Sequence, residues 1–272
     1  MTGNPDLRAS PSSSPQSSDF SLGDWYGRDL GKALEAAEAE ALQGLTGRMF
    51  GQVLLQIGAC QNEVIHRTGF VHRLTVDTDA FDSGMGAFRG RARQMPVVTN
   101  GVCAVVLNHA LDFEQDPHAV LREVTRMLKD DGYLVVVGFN PHSLWGLRRL
   151  LPFGRDRGPW RARFVSASRL KDWLGLLDYQ VLDEHQIFFR PPLQGRRIWE
   201  RIMNRLHWME RLGRRFRLGL GGVYLLAARR RTVPMTLVKP RWKPRRALAG
   251  GRLNSPAARV RRSPVRRTGS GR

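Results

Sequence analysis

The sequence predicts an α/β fold built on an open, mostly parallel β-sheet. The first observation is a nearly continuous apolar run at residues 102–107, which is typical of a strand covered on both faces. The second is an amphipathic helical pattern that follows it, and the third is another apolar run at residues 133–139. A strand, a helix and a strand of this combined length imply parallel strands joined by a right-handed crossover.

One helix and three strands are predicted before this unit. Residues 1–22 are rich in Ser and Pro and poor in apolar residues, so we expect them to be disordered. An amphipathic helix comes next, with glutamates between apolar residues at helical spacing. These apolar residues are Leu30, Leu34, Ala37, Ala41 and Leu45. Short strands are predicted at residues 53–57, 73–76 and 87–92.

The helix between the two apolar runs has recognisable signals at both ends. Asp116 is a suitable N-cap and Pro117 a suitable first helical residue, whereas Gly132 is predicted to stop the helix. Its apolar stripe consists of Val120, Leu121, Val124, Met127 and Leu128.

The C-terminal part predicts another helix at residues 170–177 and strands at 179–189 and 222–228. Between these strands, residues 197–216 combine apolar residues at helical spacing with many arginines. We interpret them as a helical insertion, near residues 195–218, that either packs on the domain or covers a pocket or an anionic surface.

The basic charge of the chain is concentrated at its C-terminal end. The net charge is +20, but 15 of the 44 basic residues lie from Arg229 onward, where no acidic residue occurs. We expect residues 238–272 to be a disordered basic tail. This tail could add weak, salt-dependent attraction to nucleic acid or an anionic surface, or it could have no partner.

The composition argues against several classes of protein. No apolar run is long enough to span a bilayer, and no basic region followed by an apolar stretch opens the chain, so we expect a cytoplasmic protein. The two cysteines, Cys60 and Cys103, form no CxxC or Cys/His cluster, and we therefore expect neither a disulfide framework nor a metal site.

Polar residues follow four of the predicted strands, at residues 58–62, 77–79, 108–112 and 140–143. In an open α/β sheet, ligands bind beyond the carboxyl ends of the strands. The sequence therefore predicts that these four segments converge on one cleft.

Three segments of the chain resemble a known family. Residues 121–140, LREVTRMLKDDGYLVVVGFN, are similar to the helix, glycine turn and fifth strand of class I S-adenosylmethionine-dependent methyltransferases of the type 11 group. Residues 139–148, FNPHSLWGLR, and 231–237, RTVPMTL, resemble the uncharacterised bacterial YafS-like branch. The resemblance implies a Rossmann-like, mostly parallel seven-stranded sheet with helices on both faces over residues 23–237. It also implies S-adenosyl-L-methionine as cofactor and an unidentified methyl acceptor.

The resemblance also implies which residues bind the cofactor. Gly58 matches the first glycine of the family's nucleotide loop, whereas Cys60 and Asn62 replace the second and third. Asp77, with Asp79 as the alternative, matches the acidic residue that holds the ribose hydroxyls after the second strand. Asn108 follows the fourth strand, where the family contacts the cofactor.

Further residues are candidates for the acceptor side of the cleft. His109 and His142 are candidate general bases, because imidazole titrates near neutral pH. Asn140 and Ser143 lie at the corner after the fifth strand and are expected to shape the acceptor pocket. Each of the four has a plainer interpretation as an ordinary loop residue.

Two alternative functions stay open at this point. The altered glycine loop allows a degenerate methyltransferase-like fold that binds nucleic acid or protein through its basic face and tail. A nicotinamide-dependent dehydrogenase is the weaker alternative, because no GxGxxG motif follows the first strand.

Overall fold

The structure is a computed structural model that describes residues 25–59, 68–78, 86–150, 158–192 and 220–231. The chain divides into two compact units, Met1–Val233 and Pro234–Arg272, and all described residues belong to the first. The predicted N-terminal tail, the helical insertion near 195–218 and the basic tail lie outside the described residues, as do Cys60, Asn62 and Asp79.

The described residues form one mixed sheet of seven strands in the order β3-β2-β1-β4-β5-β7-β6. The strands are β1 Phe50–Gly58, β2 Gly69–Asp77, β3 Phe88–Arg89, β4 Val102–Asn108, β5 Leu128–Phe139, β6 Tyr179–Ile187 and β7 Val223–Arg230. Strands β1 to β5 run parallel to one another, whereas β7 runs antiparallel to both β5 and β6. The predicted mostly parallel, seven-stranded sheet is thus confirmed.

Helices lie on both faces of this sheet, as predicted. The helices are α1 Asp29–Thr46, α2 Ala110–Phe113, α3 Pro117–Met127, α4 Leu144–Leu150 and α5 Ala167–Leu176, with a 3-10 turn at Pro159–Arg161. None of the helices in the described ranges is long and apolar enough to cross a membrane.

The strands are apolar on both sides because two separate cores flank the sheet. Along β5, Leu134 and Val136 pack with α3 and α5 on one side, whereas Val135 and Val137 pack with α1 on the other. All four residues are buried. This double burial accounts for the continuous apolar run in the sequence.

Helix α3 begins as predicted and ends earlier than predicted. The Asp116 Oδ1 accepts a hydrogen bond from the Ala119 amide at 3.0 Å, and Pro117 is the first helical residue. The helix ends at Met127, however, and Gly132 lies within β5. Gly132 is therefore not the helix stop: an added Cβ would lie 2.6 Å from the Leu128 Cγ, so its small size serves close packing in the strand.

Candidate functional site

The first strand ends in a sharp turn that only glycine fits. Gly58 has a φ of +108°, and an added Cβ would lie 2.1 Å from the main-chain oxygen of Asn108 on the adjacent strand β4. The next amide, that of Ala59, donates to the same oxygen at 3.0 Å. The chain after β1 is thereby held against the end of β4.

Two buried amide side chains hold this turn by hydrogen bonds through their nitrogens. The oxygen of each amide has no donor among the described residues. The Asn108 Nδ2 and the Gln56 Nε2 donate to the main-chain oxygen of Ala59, at 2.7 and 3.2 Å. The Asn108 Oδ1 and the Gln56 Oε1 are buried and have no hydrogen-bond partner among the described residues. A buried amide oxygen without a donor is costly, so both atoms are suited to accept a hydrogen bond from a ligand.

Asp77 ends the strand on the other side of β1. Val76 is paired with Ile57, so Asp77 lies in line with Gly58 at the same edge of the sheet. Its side chain is buried and its Oδ2 accepts a hydrogen bond from the Gly86 amide at 3.1 Å. Gly58, Asp77 and Asn108 thus end three adjacent strands, as the sequence predicts.

His109 is buried between two carboxylates. Its ring is 0% exposed, its Nε2 lies 2.9 Å from the Glu38 Oε1, and its Nδ1 lies 3.1 Å from the Asp112 Oδ2. The ring also stacks on Phe139, with 4.0 Å between the ring centroids. Both ring nitrogens are therefore occupied and no edge of the ring is open to a substrate.

The charges of this cluster fix its protonation state. Burial by itself lowers the pKa of His109, but the negative charge of Glu38 and the hydrogen bonds to both carboxylates outweigh burial and raise the pKa to about 9. Burial raises the pKa of Asp112, although the contact with His109 opposes this effect. His109 is consequently an imidazolium at neutral pH.

The cluster joins four parts of the fold. Each carboxylate that contacts His109 accepts one further hydrogen bond. The Tyr26 Oη donates to the Glu38 Oε2 at 3.0 Å, and the Phe139 amide donates to the Asp112 Oδ2 at 2.9 Å. The segment before α1, α1 itself, the turn after β4 and the end of β5 are thereby tied together.

Sequence reasoning missed Glu38 and Asp112. Glu38 had a visible signal, because it lies four residues from both Leu34 and Leu42 on the buried stripe of α1. A carboxylate on an apolar stripe needs a buried partner. Asp112 lies in the predicted strand-end segment 108–112, but nothing in the sequence pairs it with His109.

The corner after β5 is folded by its own polar side chains. The Asn140 Oδ1 accepts from the His142 amide at 3.0 Å, and the Asn140 Nδ2 donates to the Gly221 oxygen at 3.0 Å. The Ser143 Oγ donates to the Asn140 oxygen at 2.7 Å and accepts from the Trp145 amide at 3.2 Å. Asn140 and Ser143 are buried, whereas the His142 side chain is exposed beside them.

An aromatic cluster centred on Trp145 packs next to this corner. Trp145 stacks on Phe139 and on Trp160, with centroid separations of 5.9 and 6.0 Å, and meets Trp25 edge-on at 5.8 Å. Trp25 and Tyr26 are buried in this cluster. They anchor the segment before α1 in the core.

Comparison with known sequences relates the chain to methyltransferases. The family model described as a methyltransferase domain matches residues 71–136. The chain is 32% identical over 217 residues to the uncharacterized protein YafS of Escherichia coli (strain K12), and this match covers 78% of the chain and 82% of YafS.

Solved structures share the fold. A Thermotoga maritima protein described as a SAM-dependent methyltransferase, possibly a histamine N-methyltransferase, superposes with a TM-score of 0.52 and 16% identity, covering 72% of this chain and 89% of that protein. The geranyl diphosphate C-methyltransferase of Streptomyces coelicolor A3(2) superposes with a TM-score of 0.50 and 18% identity, covering 80% of this chain and 83% of that protein. That enzyme was crystallised with Mg²⁺, geranyl-S-thiolodiphosphate and S-adenosyl-L-homocysteine.

Proposed function

Since the chain belongs to the class I S-adenosylmethionine-dependent methyltransferases, in the branch that contains YafS, we propose that it transfers the methyl group of S-adenosyl-L-methionine to an acceptor. The observation that carries this proposal is the meeting of Gly58, Asp77 and Asn108 at one edge of the sheet. The comparisons do not favour the degenerate binding module, and membership of this family replaces the dehydrogenase alternative.

The residues at this edge suit the proposed cofactor. The Asp77 carboxylate can accept hydrogen bonds from the two ribose hydroxyls, and the Gly58 turn brings main chain rather than side chain to the ligand. The unpartnered oxygens of Asn108 and Gln56 can accept from an ammonium group such as that of the methionine part. Cys60 and Asp79 belong to the same two loops and stay candidates for this site.

The cofactor supplies an activated methyl group bound to a sulfonium, so the protein's main task is positioning. In-line displacement requires that the acceptor and the methyl group be held close and aligned while water is excluded. We assign the Asn140–Ser143 corner to the acceptor side, with the exposed His142 as the candidate base for acceptors that must lose a proton.

We assign His109 a positioning role instead of a catalytic one. A fully buried imidazolium with both nitrogens bonded to carboxylates cannot take a proton from an acceptor. Its contacts join the end of β4, where Asn108 lies, to the end of β5. The acceptor corner begins at that end of β5.

Titration calorimetry with S-adenosyl-L-homocysteine tests the proposal on three proteins: wild type, Asp77→Asn and the control Asp172→Asn. Asp172 lies exposed in the middle of α5. We expect the wild type and Asp172→Asn to bind equally and Asp77→Asn to bind at least about tenfold more weakly, since hydrogen bonds to a charged group are worth about 1.5–3 kcal/mol. The absence of binding heat in the wild type would refute the proposal.

A further inference from the structure

The described residues from the middle of β5 to the middle of α5 include several cations and no acidic residue. Residues 132–150 and 158–171 contain six Lys or Arg and no Asp or Glu. These cations are Arg148, Arg149, Arg161, Arg163, Arg169 and Lys171. Lys171 forms an ion pair with Glu184, so the positive charge that follows the acceptor corner comes from the arginines.

Arg148 is held in place at this surface by two contacts. Its Cζ lies 4.3 Å from the centroid of the Trp160 ring, in a cation–π contact, and its Nη1 donates a hydrogen bond to the Pro192 main-chain oxygen. Trp160 is itself fixed by stacking on Trp145, the residue of α4 that lies three positions before Arg148. The guanidinium is therefore oriented without any ligand.

Among the residues that the structure describes, this guanidinium has no counter-ion. No carboxylate of the described residues forms an ion pair with Arg148, although partial burial already lowers its pKa. Removing a cation from water without pairing it is unfavourable. The planar guanidinium has five N–H donors, and the Pro192 oxygen accepts from one of them. The spacing of two such donors matches the two oxygens of a carboxylate or a phosphate.

Two neighbouring arginines extend the positive surface. Arg161 is exposed in the same 3-10 turn as Trp160. The Arg163 Nη1 donates to the Gln115 main-chain oxygen at 3.4 Å, and its backbone amide donates to the Asp112 oxygen at 2.6 Å. Neither arginine forms an ion pair within the described ranges, and the second contact joins this surface to the turn after β4.

We propose that Arg148, stacked on Trp160, binds an anionic group, a phosphate or a carboxylate, of the methyl acceptor. That the bound anion belongs to the methyl acceptor rests on the proposed function. The anion site itself rests only on the geometry of Arg148. The acceptor is accordingly a small molecule with an anionic end that lies at the rim of the cleft.

A small anion fits this surface better than a nucleic acid. Binding of single-stranded nucleic acid uses exposed aromatic rings on which bases stack. The rings beside Arg148 are instead buried, with Trp145 and Trp160 at 0% and 3% exposure, so this surface offers an arginine fork without a stacking platform.

The test follows the indole N–H signal of Trp160 by ¹H–¹⁵N NMR of the full chain during titration with inorganic pyrophosphate, and separately with citrate. The Trp160→Phe variant assigns the signal. This local signal separates anions at Arg148 from anions bound by the basic residues 238–272. We expect a saturable shift in the wild type with one or both anions, and the stronger of the two identifies the preferred group.

Variants decide whether Arg148 is responsible. We expect Arg148→Gln to weaken the binding by about tenfold or more, and Arg148→Lys to weaken it less because the charge remains. The control Arg169→Gln removes the same charge from the exposed start of α5 and should bind as the wild type does. Melting temperatures and a dispersed indole spectrum verify that each variant is folded.

Three results would overturn the proposal: no saturable Trp160 shift in the wild type, an unchanged affinity in Arg148→Gln, or a shift by an oligoribonucleotide of about ten nucleotides at far lower concentrations than by either small anion. Failure of the proposed function is visible separately. If the Trp160 shift occurs but S-adenosyl-L-homocysteine does not bind, the anion site stands and the methyltransferase assignment falls. Arg148→Gln should bind S-adenosyl-L-homocysteine as tightly as the wild type.

Discussion

At the scale of single residues, Gly58 carries the largest structural demand of the candidate site. Its φ of +108° lies in a region that side chains disfavour, and the Asn108 oxygen occupies the place of a Cβ. The sequence singles out this glycine, because it follows an apolar strand. The sequence does not reveal that the turn is pressed against β4, since Asn108 lies fifty residues further along the chain.

We expect Gly58→Ala to destabilise the protein by about 1–3 kcal/mol, the usual cost of a strained backbone position, and to abolish binding of S-adenosyl-L-homocysteine. Gly44→Ala is the matched control, since no atom lies within 4 Å of its added Cβ on α1. It should stabilise the protein by up to about 1 kcal/mol. Denaturant unfolding and calorimetry measure both effects, and equal stability of the two variants would contradict the strained turn.

His109 makes stability depend on pH. Its pKa of about 9 in the folded protein exceeds the ordinary value of 6.5, so the folded state binds this proton more tightly than the unfolded state does. The stabilisation is complete below pH 6.5 and is lost as the pH rises through 9. The raised pKa of Asp112 acts in the same direction at lower pH, and Tyr26, whose pKa burial also raises, stays neutral in this range.

We expect the free energy of unfolding to fall by on the order of 3 kcal/mol between pH 6 and pH 10 through this group. Glu38→Gln removes the principal charge that holds the proton, and should flatten the profile while lowering stability at pH 6. The control Glu40→Gln removes an exposed carboxylate of the same helix and should leave the fall in stability through His109 in place. A wild-type profile that is flat from pH 6 to pH 10 would exclude a charged His109.

At the scale of elements, α3 and α4 show when local sequence suffices. Helix α3 has an N-cap, an initial proline and an apolar stripe, and its start is predictable to the residue. Helix α4 has only seven residues, the third of which is a glycine, and the sequence predicts no helix there. It forms because the Ser143 Oγ accepts from the amides of Trp145 and Gly146, which is a local cap, and because Trp145 packs in the aromatic cluster, which is a tertiary contact.

The N-cap of α3 can be tested by itself. We expect Asp116→Ala to lower the free energy of unfolding by about 1 kcal/mol, because the Ala119 amide loses its acceptor. Asp116→Asn should be nearly neutral, since asparagine caps equally well. Urea unfolding separates the two, and equal losses in both variants would show that the charge, not the hydrogen bond, matters.

At the scale of the whole molecule, the sheet could be predicted in class and in strand number, but not in full. Burial on both faces identifies β4, β5 and the second half of β1 as parallel strands, whereas β2 and β3 are largely exposed and lack this signal. The apolar pattern of residues 222–228 does not indicate in which direction the strand runs. The antiparallel direction of β7 is therefore visible only in its pairing with β5 and β6. The candidate site follows the same rule: strand-end residues were predictable, whereas the partners that distant elements contribute, such as Glu38, were not.

The distribution of charge gives the last prediction at this scale. Residues 238–272 contain 12 of the 44 basic residues and no acidic residue, so a chain that ends at residue 237 has a net charge of +8 instead of +20. If this segment attracts polyanions, its removal should lower the salt concentration at which the protein leaves heparin and reduce the salt dependence of RNA binding, because fewer counterions are released. Melting temperature and binding of S-adenosyl-L-homocysteine should not change, since all described residues precede the cut. Unchanged elution from heparin would assign the attraction instead to the arginines of the folded domain, among which Arg148 and its neighbours already form a cationic surface beside the acceptor corner.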